Sequence, residues 1–409
     1  MKGSAILIEA SPGEVRGALI RNGAVWDVVH HRLSSPSLMG ASYRGRVRRI
    51  DAGINGAFVD IGTGQDAFLR ARDASEPGKQ KARRARIAEM IHEGAQIDVE
   101  VVADGFENKG PRVVRIETND KVPSSPVPAV IVPPADPVSH ILERFSNDRI
   151  SVVVCSDATT QNQARTWCLA NWPELGDRIE RDKLGLFEEQ GVEDAIESAL
   201  ARRVTLPSGA ELVFDQAEAL CVIDINSAGE VGKAGRTPRD VNSKAMPEIA
   251  RQLRLRNIAG AIVIDALKMG SGDDRNRVMV RLRETLKGDP GSCHVLGMTN
   301  LGLIEITRTR IGPSLSERMH APYTEPLPSV EAVATAALRA VIRTAAATPA
   351  GGYRLAVAPV LGDYLEGAMR AALDDASRHV GQLVLVREPG RALSRFEVML
   401  GSSETTTKV

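Results

Sequence analysis

Short apolar runs alternate with polar residues and turn signals through the first third of the chain. Residues 1–36 carry ILIEA, PGEVRGALI and NGAVWDVV, and the Asn22-Gly23 pair predicts a hairpin turn. Residues 37–117 continue with strand-like runs between glycines: YRGRVRRI, NGAFVDIG, QDAFL, QIDVEVV and PRVVRIE. Several short strands at near-regular spacing predict a small β-barrel over this second segment.

The pattern changes at residues 120–137, DKVPSSPVPAVIVPPADP, where proline and serine predict a linker. Helical and strand-like runs then alternate in VSHILERF, RISVVVCS and QNQARTWCLANW, followed by an amphipathic helix at 189–203. A hairpin is predicted around Pro207-Ser208-Gly209. Residues 326–409 begin with an alanine-rich helix and predict a small separate α/β unit.

The most apolar strands lie between the hairpin and this last unit. ALCVIDINS and AIVIDAL predict two strands, with helix MPEIARQLRLRN between them and helix RVMVRLRETL and strand GLIEITRTR after them. Because the apolar runs are continuous, we expect sheet strands that are buried on both faces. The whole pattern predicts a mixed α/β and β multidomain fold.

Composition is that of an ordinary globular protein, with 409 residues, 43% apolar and 25% charged. The net charge is zero, so overall charge gives no support for a nucleic-acid partner, although arginines and lysines crowd residues 44–49 and 79–86. The four cysteines lack the spacing of a zinc or redox motif. Because no apolar run suits a signal peptide or a membrane helix, we expect a cytoplasmic protein with no membrane partner.

Two carboxylates stand at the ends of the two apolar strands. Ligand sites in open α/β sheets form along the carboxyl edge, where Asp224 and Asp265 are expected. Asn226 lies two positions after Asp224 and therefore on the same face of that strand. Such oxygen ligands suit magnesium and not zinc. From these residues alone, a turn-capping or arginine-paired role for each aspartate stays an alternative to metal binding.

Other charged residues near these strands are weaker candidates. Asp215, Glu218 and Glu305 are acidic neighbours in sequence, and apolar residues around Glu305 favour a buried salt bridge to an arginine. Arg308 and Arg310 alternate along the last strand and are candidates to contact phosphates. The stretch GEVGK at 229–233 lacks the spacing of a phosphate loop. The adjacent His30 and His31 are expected to be exposed strand residues.

The barrel segment has its own candidate site. Phe58 and Phe68 belong to a chain with only 3% aromatic residues, and barrels of this kind stack bases of a single strand on aromatic faces. Arg44, Arg46 and Lys109 are candidates to bind the phosphates. The alternative, that both phenylalanines belong to the barrel core, is equally compatible with the sequence.

Long stretches of the chain resemble one enzyme family. RGRVRRIDAGINGAFVDIGTGQDAFL resembles the S1-type RNA-binding barrel of the ribonuclease E/G family, and LPSGAELVFDQAEALCVIDINSAG, EIARQLRLRNIAGAIVIDALKM and GLIEITRTRIGPSLSE resemble its catalytic region. The resemblance implies a Mg²⁺-dependent endoribonuclease, with Mn²⁺ as a possible substitute. It implies that Asp224 and Asp265 bind the metal, that Asn226 orients them, and that Phe58, Phe68 and Lys109 grip RNA.

The resemblance also implies a domain plan. An RNase H-like scaffold formed by residues 1–36 and 138–204 carries an inserted S1-type (OB) barrel at 37–117, with the linker at 118–137. A DNase I-like catalytic α/β subdomain follows at 205–325, and a small C-terminal α/β domain at 326–409. The expected substrate is single-stranded, A/U-rich RNA, cut to leave a 5′-phosphate and a 3′-hydroxyl during RNA processing or decay.

Three departures from the family pattern change the expectations. The stretch that forms the family's pocket for a 5′-monophosphate is deleted, so sensing of the 5′ end should be weak or absent. HAPYTEPLP replaces the cysteine segment that shares a zinc ion between subunits, so no zinc is expected and a homo-oligomer would not be zinc-linked. Asn300 stands where many members carry arginine. The alternatives to the enzyme are a non-catalytic single-stranded RNA-binding protein and, more distantly, a DNA-directed nuclease.

Overall fold

The computed structural model describes residues 3–75, 86–105, 109–117, 126–182, 185–229, 231, 237–319 and 328–401. The chain divides into two compact units. Unit 1 comprises Met1–Ser35, Pro137–Thr309 and Ser314–Val409, and unit 2 comprises Pro36–Asp136 with Arg310–Pro313. The strands and helices of both units confirm a mixed α/β architecture with several sheets.

Strands carry most of both units. Within the described residues they are β1 (Ser4–Ser11), β2 (Glu14–Arg21), β3 (Ala24–Arg32), β4 (Ser42–Asp51), β5 (Gly56–Asp60), β6 (Ala67–Arg70), β7 (Gln96–Ala103), β8 (Arg112–Arg115), β9 (Ala129–Val132), β10 (Val152–Cys155), β11 (Ile179–Arg181), β12 (Arg203–Thr205), β13 (Glu211–Gln216), β14 (Leu220–Asn226), β15 (Gly260–Asp265), β16 (Cys293–Met298), β17 (Leu303–Arg308), β18 (Tyr353–Val357), β19 (Leu383–Arg387) and β20 (Glu397–Leu400).

Helices are confined to unit 1, apart from short 3-10 turns, as far as the described residues extend. The α-helices are α1 (Pro137–Arg144), α2 (Ala158–Asn171), α3 (Leu186–Glu189), α4 (Val192–Leu200), α5 (Pro238–Leu255), α6 (Gly272–Thr285), α7 (Leu315–Met319), α8 (Val330–Ala347), α9 (Pro359–Glu366) and α10 (Arg370–Val380). The 3-10 turns are Ala71–Asp73, Ile87–Glu89 and Pro173–Leu175. None of the described helices is both long enough and apolar enough to cross a membrane.

Unit 2 is a closed β-barrel, as the spacing of its short strands predicts. The strands pair in the order β5-β6-β8-β7-β4, and pairing of β4 with β5 closes the ring. Alternate residues such as Val47, Val59, Leu69 and Val99 point inward and form the core. β9 pairs with β4 outside the ring, so the predicted linker at 118–137 contains a strand. The short apolar run between the prolines of the linker pairs with an edge of β4 that the ring leaves unpaired.

The first sheet of unit 1 has the strand order β11-β10-β1-β2-β3. Asn22 and Gly23 both have positive φ, at 49° and 81°, which confirms the predicted hairpin turn between β2 and β3. β10 and β11 join β1 in parallel, with α2 as the crossover between them. The side chain of Asp157 begins α2 by accepting hydrogen bonds from two backbone amides in its first turn.

The second sheet of unit 1 has the order β12-β13-β14-β15-β17-β16, with β14 and β15 parallel. Helices α5 and α6 cover one face, where Met246 and Val278 pack against Ile223, Ile264 and Ile306. The expectation of burial on both faces is wrong, because buried and more exposed positions alternate along β14 and β17. We call the opposite face, which these helices do not cover, the open face.

The third sheet, β19-β18-β20, shares a hydrophobic core with α8, α9 and α10 and belongs to unit 1. The separate C-terminal domain at 326–409 stays a prediction. Two buried ion networks join the parts of unit 1. Asp27 accepts hydrogen bonds from Arg144 at 3.0 Å and from Arg254 of α5 at 2.9 Å. Glu14 accepts one from Arg339 of α8 at 2.6 Å.

His30 belongs to the second of these networks, with Nδ1 lying 3.1 Å from Glu14 Oε1. The expectation that His30 and His31 are exposed is wrong, since they are only 2% and 8% exposed. Position on an outer strand of the sheet does not expose them, because helices cover both sides of β3. The His31 ring lies 2.9 Å from the ring of His140 in α1, and the network around His30 reaches α8.

Candidate metal centre and nucleic-acid surface

Asp224 and Asp265 are registered neighbours on the parallel strands β14 and β15. Adjacent strands lie about 4.8 Å apart and registered side chains leave the same face, so the two carboxylates stand side by side on the open face. β15 ends at Asp265, whereas β14 continues to Asn226 because it still pairs with Glu211 of β13. The two strand ends that the sequence predicts therefore converge.

Asn226 is placed as its spacing predicts. Its Nδ2 donates a hydrogen bond to Asp224 Oδ2 at 2.8 Å, which fixes the orientation of that carboxylate. Within the described part of the chain, Asp265 makes no hydrogen bond or ion pair through its side chain, and no lysine or arginine pairs with Asp224. The alternative role of these aspartates as turn caps or arginine partners is therefore not supported.

The backbone after Asp265 is held by a buried asparagine of α5. Asn242, which is fully buried, donates from Nδ2 to Leu267 O at 2.9 Å and accepts from Leu267 N at 3.0 Å. α5 itself begins with a capping box between Thr237 and Asp240, which fixes its first turn. The helix thus sets the position in which β15 ends.

Two adjacent carboxylates without a protein cation fit a magnesium ion. Mg²⁺ typically takes one or two protein carboxylates and keeps waters or substrate phosphates as its other ligands. Uncompensated, two neighbouring carboxylates repel each other, and a divalent cation removes that repulsion. Among the described residues no group of three or more His, Cys, Asp or Glu side chains is placed to hold a metal, so the fit rests on the pair.

The other acidic candidates separate into two groups. Asp215 is bound by Arg202 through contacts of 2.5 and 2.7 Å, so its charge is already balanced. Glu218 is exposed in the loop before β14. The expectation of a buried salt bridge at Glu305 is wrong: this side chain is exposed on the open face, diagonal to Asp265. Alternation along β17 places it opposite the covered face.

Arg308 is not available to RNA, so its predicted phosphate contact is wrong. It shares the covered face with Ile304 and Ile306, and its side chain is fully buried. Its Nε donates to Asp289 at 2.9 Å and its Nη1 donates to the Ile258 carbonyl at 2.9 Å. Arg310 follows the end of β17, is exposed and belongs to unit 2, so its predicted RNA contact stays a prediction.

Asn300 is exposed in the turn between β16 and β17. β17 starts at Leu303, the registered partner of Asp265, so this turn lies at the same end of the sheet as the carboxylate pair. The sequence did not predict β16, whose bulge after Val295 breaks the simple alternation of apolar and polar positions.

The two phenylalanines of the barrel lie outside its core. Phe58 and Phe68 are registered partners on β5 and β6, both half-buried, with ring centroids 5.5 Å apart. The core is formed instead by their neighbours Ala57, Val59 and Leu69. This placement favours the stacking interpretation over the core interpretation that the sequence left open.

The predicted basic partners differ in availability. Arg44 makes a bidentate ion pair with Asp98, with contacts of 2.8 and 2.9 Å, so it is not a free cation for RNA. Arg46 is exposed and makes no ion pair with a described residue. Lys109 is exposed at the start of the short stretch that leads into β8. The RNA contacts of Arg46 and Lys109 stay predictions.

Arg49 is a basic residue of the barrel surface that was not a candidate in the sequence. The guanidinium of Arg49 lies 4.5 Å from the centroid of the Phe58 ring. The crowding of arginines at residues 44–49 was the available signal, and it does not show which of these arginines faces the aromatic pair.

Three stretches singled out in the sequence lie wholly or largely outside the described residues. They are the basic run at 79–86, the GEVGK stretch at 229–233 and the HAPYTEPLP segment at 320–328. The expectations attached to them stay predictions.

Comparison with known proteins places these observations in one family. The sequence profile of the ribonuclease E/G family matches residues 79–311. Ribonuclease G of Escherichia coli strain K12 is 28% identical over 492 aligned positions, which cover 97% of this chain and 99% of that protein. Ribonuclease G of Haemophilus influenzae is 29% identical over 76% of this chain and 80% of its own length. Ribonuclease E of E. coli K12 is 25% identical over 75% of this chain and 37% of its own.

Proposed function

The chain belongs to the ribonuclease E/G family, and from that premise we propose that it is a magnesium-dependent endoribonuclease acting on single-stranded RNA. The observation that carries the proposal is the registered pair of Asp224 and Asp265 on the open face. A family member without catalysis would have no need for two adjacent carboxylates that lack a protein cation. The names of the relatives, Ribonuclease G and Ribonuclease E, support the same activity.

Asp224 and Asp265 would hold the Mg²⁺ ion, and Mn²⁺ would be accepted in its place. When bound, such an ion supplies a Lewis acid that lowers the pKa of water and neutralises charge on a phosphate. Asn226 keeps the Asp224 carboxylate in one orientation through its 2.8 Å hydrogen bond. Asn242 restrains the backbone that follows Asp265. These residues therefore hold the Asp224 carboxylate and the backbone next to Asp265 in place before substrate arrives, which reduces reorganisation during the reaction.

Hydrolysis of the P–O3′ bond would leave a 5′-phosphate on one fragment and a 3′-hydroxyl on the other. Phe58 and Phe68 would stack bases of the substrate, and Arg46, Lys109 and Arg310 would contact its backbone. Stacking suits an unpaired strand, because bases in a duplex are not free to lie on a protein ring. We extend the proposal to A/U-rich RNA in RNA processing or decay, in the cytoplasm.

The domain plan of the family is part of the proposal. The first sheet with α1 to α4 corresponds to the RNase H-like scaffold, and the second sheet with α5 and α6 to the DNase I-like subdomain. The five-stranded ring of unit 2 is consistent with an S1-type barrel. Any homo-oligomer is proposed to form without zinc, because residues 320–328 contain no cysteine.

Cleavage of a short, end-labelled single-stranded RNA tests the proposed activity. We expect cutting with Mg²⁺ or Mn²⁺ and none with EDTA. Asp265→Asn should reduce the cleavage rate by about 10²–10³-fold or more while RNA binding persists, because it removes a charged ligand but no stacking residue. The matched control is Asp215→Asn, which changes an exposed carboxylate of the same sheet that Arg202 already pairs. This control should cut at the wild-type rate.

Each other outcome identifies a different error. Cleavage that survives in Asp265→Asn contradicts the metal assignment. Binding without Mg²⁺-dependent cleavage in the wild-type chain favours the non-catalytic RNA-binding protein. Cutting of a DNA strand at a similar rate favours the DNA-directed nuclease.

Weak sensing of the 5′ end is a separate part of the proposal. The alignment with E. coli Ribonuclease G runs over 492 positions although this chain has 409 residues, so the relative carries segments that this chain lacks. We expect 5′-monophosphate and 5′-hydroxyl forms of one RNA to be cut at rates within about twofold of each other, because a missing pocket has no binding energy to add. Cleavage rates of the two forms measure this, and a strong preference for the monophosphate contradicts it.

A further inference from the structure

Four side chains form a row across the outer surface of the barrel, one on each of four neighbouring strands. The registered partners are Arg49 and Phe58, Phe58 and Phe68, and Phe68 and Arg112. Registered residues on adjacent strands lie side by side, so the row crosses β4, β5, β6 and β8. We call it the Arg–Phe–Phe–Arg row. Its two ends, Arg49 and Arg112, were not candidates in the sequence.

The middle of the row is a stacking surface. The Arg49 guanidinium lies 4.5 Å from the Phe58 ring centroid and widens the surface that this ring presents. Phe68 packs directly on the backbone of β5, because a β-carbon added to Gly56 would lie 2.4 Å from the ring. Aromatic and guanidinium planes both stack with nucleobases.

Arg112 is the cation at the other end of the row. Its side chain makes no hydrogen bond or ion pair with a described residue, and its Nε is buried without a partner. Arg70 and Arg72 lie nearby and share one carboxylate, Asp73, at 2.6 and 3.8 Å. Burial, followed by repulsion from Arg70, lowers the pKa of Arg112, and the opposing charge of Asp73 does not cancel this shift. The surface formed by Arg112, Arg70 and Arg72 is therefore positively charged, and the hydrogen-bond donors of Arg112 are not all satisfied.

Two other arginines of the barrel are already neutralised. Arg44 pairs with Asp98, and Arg48 pairs with Asp60. The barrel therefore leaves an unpaired guanidinium next to the aromatic pair, as far as its described residues show. Of the guanidinium nitrogens of Arg112 only Nε is buried, so the two terminal nitrogens remain accessible. A phosphate oxygen is an acceptor that binds them through charge-assisted hydrogen bonds.

We propose that Arg112 binds a backbone phosphate of single-stranded RNA whose adjacent base stacks on Phe68, while Arg49 extends the stacking surface of Phe58. The inference rests on the proposed function and adds a phosphate site to the RNA surface of the barrel. A phosphate contact makes a specific prediction about salt: neutralising one phosphate of a single strand contributes about 0.7 to the slope of log affinity against log salt concentration.

The test measures binding by the full-length chain in an Asp265→Asn background with EDTA, so that RNA is cut too slowly to affect the titration. Labelled oligo(A) and oligo(U) are titrated at several KCl concentrations. Arg112→Gln should lower the salt slope by about 0.7 and weaken binding about fivefold at 0.1 M salt, equally for both RNAs. The matched control, Arg48→Gln, removes the same charge from another arginine of the barrel, which Asp60 already pairs. This control should change neither the salt slope nor the affinity.

Two further variants make the result decisive. The double variant Phe58→Ala and Phe68→Ala should lose most of the binding. Arg112→Lys keeps the positive charge and should keep the salt slope. Thermal unfolding of each variant checks that the barrel is folded. If the phenylalanine variant loses binding but Arg112→Gln does not, the phosphate site is wrong and the proposed function stands. If neither changes binding, RNA does not use this row. A loss confined to one base shows base contact and overturns the phosphate site.

Discussion

Carboxylates in two regions of unit 1 differ in whether an arginine pairs with them. In the buried networks of the first sheet, Asp27 is bound by Arg144 and Arg254, and Glu14 by Arg32 and Arg339. On the open face of the second sheet, Asp224 and Asp265 stand side by side without any such partner among the described residues.

The difference teaches where charge serves the fold and where, in the proposed function, it serves chemistry. A buried carboxylate is unfavourable unless cations compensate it, so the networks are complete because they are buried. On the open face Asp265 is exposed and Asp224 is partly exposed, and solvent there tolerates uncompensated charge. In the proposed function, a divalent ion compensates it. The same side chain therefore stabilises one region and is left available in the other.

The largest expected effect is on the stability of the network. Asp27→Asn should lower the free energy of unfolding by about 3–5 kcal/mol, because it leaves the buried guanidiniums of Arg144 and Arg254 without their counter-charge. Denaturant unfolding followed by tryptophan fluorescence measures this. All three tryptophans, at 26, 167 and 172, lie in the first sheet and its helices, so the signal reports on this region.

The contrasting variant for this experiment is Asp265→Asn. Without metal it should leave stability unchanged or slightly increased, since it removes a like-charge neighbour of Asp224. Asp363→Asn, an exposed partner of Arg387, is the control and should change stability by no more than about 1 kcal/mol. A large loss of stability in Asp265→Asn, or none in Asp27→Asn, would break the comparison.

A smaller effect is expected from acid. Burial, the largest cause, lowers the pKa of His30 from 6.5 to about 4 despite the opposing charge of Glu14. Between these values the unfolded chain binds more protons than the folded one. Stability is therefore fully present above pH 6.5 and falls as the pH drops towards 4, by about 1.4 kcal/mol per pH unit for this group.

Denaturant unfolding at a series of pH values measures this dependence. His30→Gln should flatten the slope by about that amount, whereas His31, whose pKa burial lowers to about 3, continues to contribute. His294→Gln is the matched control, because His294 is exposed on β16. An equal slope in wild type and His30→Gln would show that His30 is not buried in its neutral form.

Much of the fold could be predicted from local patterns. Alternation and the Asn22-Gly23 turn predicted β1 to β3, and apolar runs predicted β14, β15 and α5. β9 was missed because its apolar run lies among prolines and becomes a strand only through pairing with β4. Burial of β14 on both faces was wrong, because a strand's own sequence does not show which faces its neighbours cover.

The candidate site residues likewise separate into those that local patterns predict and those that depend on distant strand pairing. Strand ends and the two-residue spacing predicted Asp224, Asp265 and Asn226, which depend on short-range geometry. The buried position of Arg308 follows from the alternation it shares with Ile304 and Ile306, so that prediction neglected a local signal. Arg112 was not predictable, because its place beside Phe68 depends on the parallel pairing of β6 with β8 across a long stretch of sequence.

Helix α5 touches both of the regions compared above. Asn242 near its start fixes the chain after Asp265, and Arg254 near its end is anchored to Asp27 and Asp148. Because both ends of α5 are held by hydrogen bonds, we expect a shift at one end of the helix to move the residues at the other end. The position of Asp265 thus depends on an anchor about 18 Å away along the helix, at about 1.5 Å per residue. If the proposed function holds, substitutions at that anchor will alter catalysis without touching RNA.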